Sequence, residues 1–229
     1  MRPVQKGSSP YTTITDYKQA RPYLKDRIGL YCSYCGFEIS HAGQVEHVSS
    51  KHWGGSLTGW DNLLLGCQHC NSRKKDYVIN TNVNDYLWPD KYNTALAYTY
   101  EHGFPHINKQ ALELIDQNDP SQNALQKATA LYNVVGLGNI PTRKTDDNRF
   151  WKRTEVYACA KRALDRWKTN PCTALLDTTI DLALAQGFFS VWMYVFNDEP
   201  IVLNKLIDAF PGTNRTYYDA DGHPKPIIK

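Results

Sequence analysis

Two Cys-x-x-Cys pairs, Cys32/Cys35 in "YCSYCGFEI" and Cys67/Cys70 in "CQHCNSRKKD", stand 31 residues apart in a chain of 229. Each pair sets two thiols on one tight turn, and two such turns close a tetrahedral site around a metal ion. In a reducing compartment this spacing points to Zn²⁺ before it points to disulfides. Four thiolates leave no open coordination position, so the metal is expected to be structural. It dictates how residues 31 to about 78 fold, and any chemistry must come from what it holds in place. That stretch is rich in Gly, Cys and His and weak in helical periodicity, which suits a unit organised by a metal. The other two cysteines, Cys159 and Cys172, read as buried core thiols.

Between the pairs runs "VEHVSSKHWGGSLTGWDNLLLG", and "NSRKK" follows the last cysteine. Glu46-His47, Gly54-Gly55, Asn62-Leu63 and Cys70-Asn71 with Lys74 fall in order, His47 preceding Asn62 by 15 positions and Asn62 preceding Asn71 by 9. In that order and spacing the segment from Cys32 to Asp76 resembles the HNH endonuclease family, in its subclass with four zinc cysteines. The resemblance implies a zinc-stapled ββα-metal module: "QVEHV" as the first strand, "NLLLG" on the returning one, and a helix opening over Asn71 to Tyr77.

The residue types suit phosphodiester hydrolysis. An imidazole titrates near neutrality, so His47 is the expected general base for water. By the resemblance, Asn62 orients that ring through its side-chain carbonyl, and Glu46 and Asn71 hold a catalytic divalent cation. Their oxygen donors suit Mg²⁺ or Mn²⁺. Arg73, Lys74 and Lys75 are placed to grip phosphates flanking the cut. Glu stands where many relatives have Asp, and Asn71 where the name-giving pattern has a second His, so loose metal binding is expected. His52 is read as equally suited to substrate and to a structural role, and His69 as hydrogen-bonding within the knuckle. Taken alone, His47 suits a structural role, Asn62 a turn cap in "WDNL" and Asn71 a helix N-cap.

From about residue 80 the pattern is helical. "DPSQNALQKATALYNVVG" carries Asp119 as N-cap, Pro120 in the first turn and Gly136 as stop, with Leu125, Ala128, Leu131, Tyr132 and Val135 on one face. Further helices are expected over about 146–168, 172–196 and 199–210. The whole is α+β: a leader with a short helix (1–30), the HNH module (31–80) and a mainly helical region (81–229).

From Arg143 to Lys168 nine basic residues face four acidic ones. Lys152, Arg153, Lys161, Arg162, Arg166 and Lys168 are expected on the exposed side, as a solvated face or a backbone-tracking surface. Trp151 and Trp167 suit core packing better than base stacking. The longest apolar run, 182–196, spans 15 residues and is flanked by aspartates, so no membrane span is expected. The first residues have no apolar stretch of the secretory kind, and a cytoplasmic protein follows.

"MRPV", "GFFSVWMYVF" and "AFPGT" look like the small HNH proteins that bacterial anti-phage systems of the Septu and retron type pair with an ATPase. That resemblance implies an ATPase partner docked on the helical region. The leading reading is a nuclease that cuts DNA. The alternatives are a nuclease acting on RNA such as tRNA, and a zinc-dependent nucleic-acid-binding module whose catalysis has decayed. Retention of both His47 and Asn62 counts against decay.

Overall fold

In the computed structural model, which describes residues 1–142 and 147–229, β1 (Gln44–His47) and β2 (Leu63–Gly66) form an antiparallel hairpin. Its register sets Val45 opposite Leu65 and His47 opposite Leu63. Leu63, Leu64 and Leu65 are all fully buried. Burying such a side chain stabilises a fold by roughly 1.5–3 kcal/mol, so β2 is a firm platform for its partner strand. α2 (Gln68–Lys74) follows at once, with Cys67 as N-cap, its sulfur accepting from the Cys70 amide. The helix therefore begins three residues before Asn71. Asn71 sits in mid-helix and does not cap it.

The N-terminal segment is threaded into the same core. Met1, Val4 and Lys6 are buried, and Arg2 donates to the carbonyls of Ile28 and Pro211 at the end of α1 (Arg21–Ile28) and near residue 213, where Val4 bridges Thr213. Lys6 donates to the carbonyls of Trp60 and Leu63, both at 2.9 Å, and pairs with Asp90 at 2.8 Å. One hydrophobic cluster joins Val4 and Leu24, Leu64 of the hairpin, and Leu131, Trp192 and Phe210 of the helical part.

The helical part differs from expectation in several places. First, it contains a second hairpin, β3 (Tyr98–Glu101) with β4 (Phe104–Ile107). "YTYEHGFPHI" alternates, and its turn residues His102 and Gly103 both have positive φ (49° and 80°), as a two-residue primed turn requires. Second, after α3 (Lys109–Asn118), Asp119 and Pro120 open a short 3₁₀ turn. α4 (Ala124–Val134) begins only beyond Asn123, with the Asp116 carboxylate accepting from the amides of Ala124 and Leu125.

Third, the helix expected over 172–196 is two, α6 (Thr173–Gln186) and α7 (Phe189–Val195). The break lies at Gly187–Phe188, where the Phe188 amide donates to the Gly36 carbonyl (2.6 Å) and Gly187 bridges Phe37. The first cysteine knuckle is seated in that break. Fourth, on α5 (Arg149–Thr169), Arg153 is buried rather than exposed, donating to the carbonyls of Gly103 and Leu137. Lys152, Lys161, Arg162, Arg166 and Lys168 are exposed as expected.

Trp167 is core and Trp151 is exposed. Cys172 is exposed and Cys159 half-buried, so neither is the buried thiol expected. The expected helix start at Asp146, and the basic residues Arg143 and Lys144, lie outside the described residues. α8 (Pro200–Ala209) closes the helical part. Among the described residues, no helix is long and apolar enough to cross a membrane.

Candidate active site

The four knuckle sulfurs, Cys32, Cys35, Cys67 and Cys70, lie within 4.8 Å of one another and are buried. The Cys35 and Cys67 sulfurs are 3.7 Å apart, close to the edge of about 3.8 Å that Zn–S bonds of ~2.3 Å give a tetrahedron. The cluster is positioned to bind one metal ion. A buried cation faces it: Arg149 is 2% exposed, and its Nη1 lies 3.0 Å from the Cys70 sulfur. Asp147 holds this guanidinium through Nε and Nη2 (2.9 and 2.7 Å), and the carbonyls of Val135 and Gly136 take its other protons. A thiolate-rich metal site is anionic, so a guanidinium brought in from α5 offsets its charge.

Beside the knuckle, between β1, α2 and the loop joining the strands, is a cleft of about 170 Å³ lined by Glu46, His47, His52, Asn71, Lys75 and Asp76. His47 Nε2 lies 2.9 Å from the Leu57 carbonyl. A carbonyl only accepts, so Nε2 carries the proton and Nδ1 keeps the lone pair a base needs. The ring rests 4.7 Å from that of Tyr17. Burial lowers its pKa below the ordinary histidine value, and Lys51, Lys74 and His52 add to this against the Leu57 hydrogen bond. His47 is therefore neutral at physiological pH.

Asn62 does not touch the ring. Its Oδ1 accepts from the Ser49 amide (2.8 Å), and its Nδ2 donates to the carbonyls of Ser49 (3.0 Å) and Ser56 (2.8 Å). It ties together the loop that carries Leu57, and the Leu57 carbonyl is what orients His47. Asn80 helps, accepting from the Ser49 hydroxyl and donating to the Gly54 carbonyl.

Glu46 is buried, with its carboxylate accepting from the Tyr34 hydroxyl and paired with Lys74 Nζ at 2.7 Å. Burial raises its pKa, with Lys74 and the Tyr34 hydrogen bond opposing. Lys74, expected to grip phosphate, is 1% exposed and also donates to the Val48 carbonyl. It is an internal counter-ion in the wall of the cleft, engaged by Glu46 and Val48. Asn71 donates from Nδ2 to Gln44 (2.7 Å), leaving its carbonyl oxygen for a cation. Gly66 lets strand and helix meet here: a Cβ on it would lie 3.3 Å from Glu46 Cβ and 3.9 Å from Asn71 Cβ. The Asn71 oxygen is thus the donor left open here, while both Glu46 oxygens are engaged by Tyr34 and Lys74, so Glu46 could hold a divalent cation only by giving up Lys74.

Residues 32–77 match the HNH endonuclease family. The matched HNH segment runs from the first knuckle cysteine to just past α2, and it implies metal-dependent nuclease chemistry on a nucleic acid. No curated protein and no solved structure matches the chain.

His47, Glu46 and Asn71 come together in the cleft of the HNH module, while Asn62 stands behind it. Arg73 and Lys75 are exposed, Lys75 at the cleft and Arg73 on the far side of α2. His52 lines the cleft, and His69 lies 3.8 Å from Asp147. Sequence reasoning missed Tyr34, Asp76, Asn80 and the Arg149–Asp147 pair. For Lys74 there was a signal: it follows buried Cys70 by four residues, on one face of α2.

Proposed function

We propose that the chain is a metal-dependent endonuclease that cuts DNA to leave 5′-phosphate and 3′-hydroxyl ends. The observation that carries this reading is His47, whose Nε2 is committed to the Leu57 carbonyl so that Nδ1 is its basic nitrogen, in a cleft that Glu46 and Asn71 also line. His47 Nδ1 takes a proton from water, the water oxygen bonds to phosphorus, and the bond from phosphorus to the 3′-oxygen breaks. Asn71, with Glu46 once it gives up Lys74, would hold Mg²⁺ or Mn²⁺, which would supply charge stabilisation at the leaving oxygen. Lys75 holds the flanking phosphate, and Asn62 positions His47 through the loop. Zn²⁺ on Cys32, Cys35, Cys67 and Cys70 keeps strand and helix at the right distance. A role beside an ATPase in anti-phage defence is supported by the sequence resemblance of the helical region alone.

A panel of supercoiled plasmid, single-stranded DNA and total tRNA, each with Mg²⁺, Mn²⁺ or EDTA, tests the substrate. Metal-dependent cutting of DNA in preference to tRNA is expected. Cutting of tRNA alone would make the chain a ribonuclease.

A further inference from the structure

On the far side of α2 lies a second cleft, of about 480 Å³, between the HNH module and α4. Arg73 and Lys75 enter it from α2, Asn133 and Asn139 from α4 and the loop beyond, and Tyr77, 64% exposed, from the segment after α2. Among the described residues, two cations and no carboxylate line it. Lys75 lines both this cleft and the catalytic one. Turning the Asn139 amide puts its oxygen 3.1 and 3.2 Å from Arg73 Nε and Nη2. That grip fixes the guanidinium and leaves Nη1 for an anion.

The backbone at Lys75 adds an independent observation. It caps α2 with φ 43° and ψ −134°, a conformation glycine adopts freely and other residues rarely. Its side chain is exposed, so packing does not account for a lysine there. Strain held at a residue shared by two clefts points to a role in binding.

We propose that this cleft receives an unpaired nucleotide of the strand being cut, beside the scissile phosphate. Arg73 and Lys75 hold its phosphate, Tyr77 stacks on the base, and the Asn133 and Asn139 amides face the base edge, whose donors and acceptors a carboxamide can match. A base paired and stacked in a duplex cannot enter a cleft walled by two elements, so the strand arrives single-stranded or with that nucleotide turned out. The identity of the occupant rests on the nuclease reading above, but occupancy is measurable without cutting.

The test uses the zinc-loaded full chain carrying His47→Ala, so that nothing is cut. Fluorescence anisotropy measures binding of a labelled single-stranded DNA of about 12 nucleotides, the same sequence as RNA, and the DNA duplex, across a salt series. Single strands are expected to bind at least about tenfold more tightly than duplex, and Tyr77→Ala to weaken them by roughly tenfold. Lys75→Gly is expected to raise the thermal midpoint by relieving strain, yet weaken binding and lower the salt slope by about 0.7. The DNA and RNA arms tell which strand is taken.

Equal binding of duplex and single strand with both variants silent overturns the proposal, as does no binding of any probe. Plasmid cutting by the wild type, run in parallel, reports on the nuclease reading separately. No cutting, with binding and variant effects as expected, sinks that reading and leaves the cleft supported. Cutting with insensitive binding sinks the cleft alone.

Discussion

Lys74 and Arg149 are cations buried beside the two anionic centres of the HNH module, and each is replaceable. Lys74→Met leaves Glu46 buried without its partner. Removing one member of a buried pair costs about 3–5 kcal/mol, and denaturant unfolding is expected to show a loss of that size. Arg149→Met removes the guanidinium beside Cys70. It is expected to speed metal release to a chelator by at least tenfold, read by a metal-sensitive dye. An unchanged release rate would mean that Arg149 only packs.

His47 sets the pH dependence. Its pKa is lowered by burial and by Lys51, Lys74 and His52, and a divalent cation nearby would push it the same way. The ring is inactive as a base when protonated. Cleavage is therefore expected to rise with pH through a midpoint below the ordinary histidine value of about 6.5, as a kcat/KM profile would show. A midpoint above that value contradicts the assignment. By the same sign, the unfolded chain takes up this proton first, so His47 removes stability as pH falls through its ordinary and then its lowered pKa. His47 and Asn71 stand out in the sequence because the expected chemistry needs those types at that spacing. Arg149 was not, because it reaches Cys70 from 79 positions away and looks locally like one more charge on a basic helix.

Among the elements, the hairpin and α2 follow from the family resemblance, although α2 opens at Gln68 rather than at Asn71. The break between α6 and α7 does not. Its one local signal is Gly187, which caps α6 with its amide on the Ala183 carbonyl, and the knuckle carbonyl of Gly36 packs so close that a Cβ on Gly187 would meet it at 2.6 Å. Gly187 also has φ 71°. Gly187→Ala is accordingly expected to lower stability by roughly 1–3 kcal/mol or more, seen as a fall in thermal midpoint. An unaltered midpoint would show that the docking gives way at no cost. The β3–β4 hairpin escaped notice for another reason. Its His-Gly turn is a weaker signal than Asn-Gly, and its strands are only four residues each.

For the molecule as a whole, the knuckles act as a hub. Gly36 and Phe37 seat the α6–α7 break, Cys70 receives Arg149 of α5, and Lys6 ties the N-terminal segment to the hairpin. Losing the knuckle metal is expected to melt the helical part together with the module, in one transition of the far-ultraviolet circular dichroism as a chelator is added. Survival of the helices after metal loss would show that they stand without it. The central claim, that His47 is the base of a metal-dependent nuclease, meets its most direct test in one comparison. Nicking of supercoiled plasmid with Mg²⁺ or Mn²⁺ is measured for the wild type and His47→Ala at equal bound zinc. The structure leads us to expect metal-dependent nicking that falls by about 10²–10⁴-fold in the variant, whereas nicking that survives the substitution undiminished would contradict the assignment.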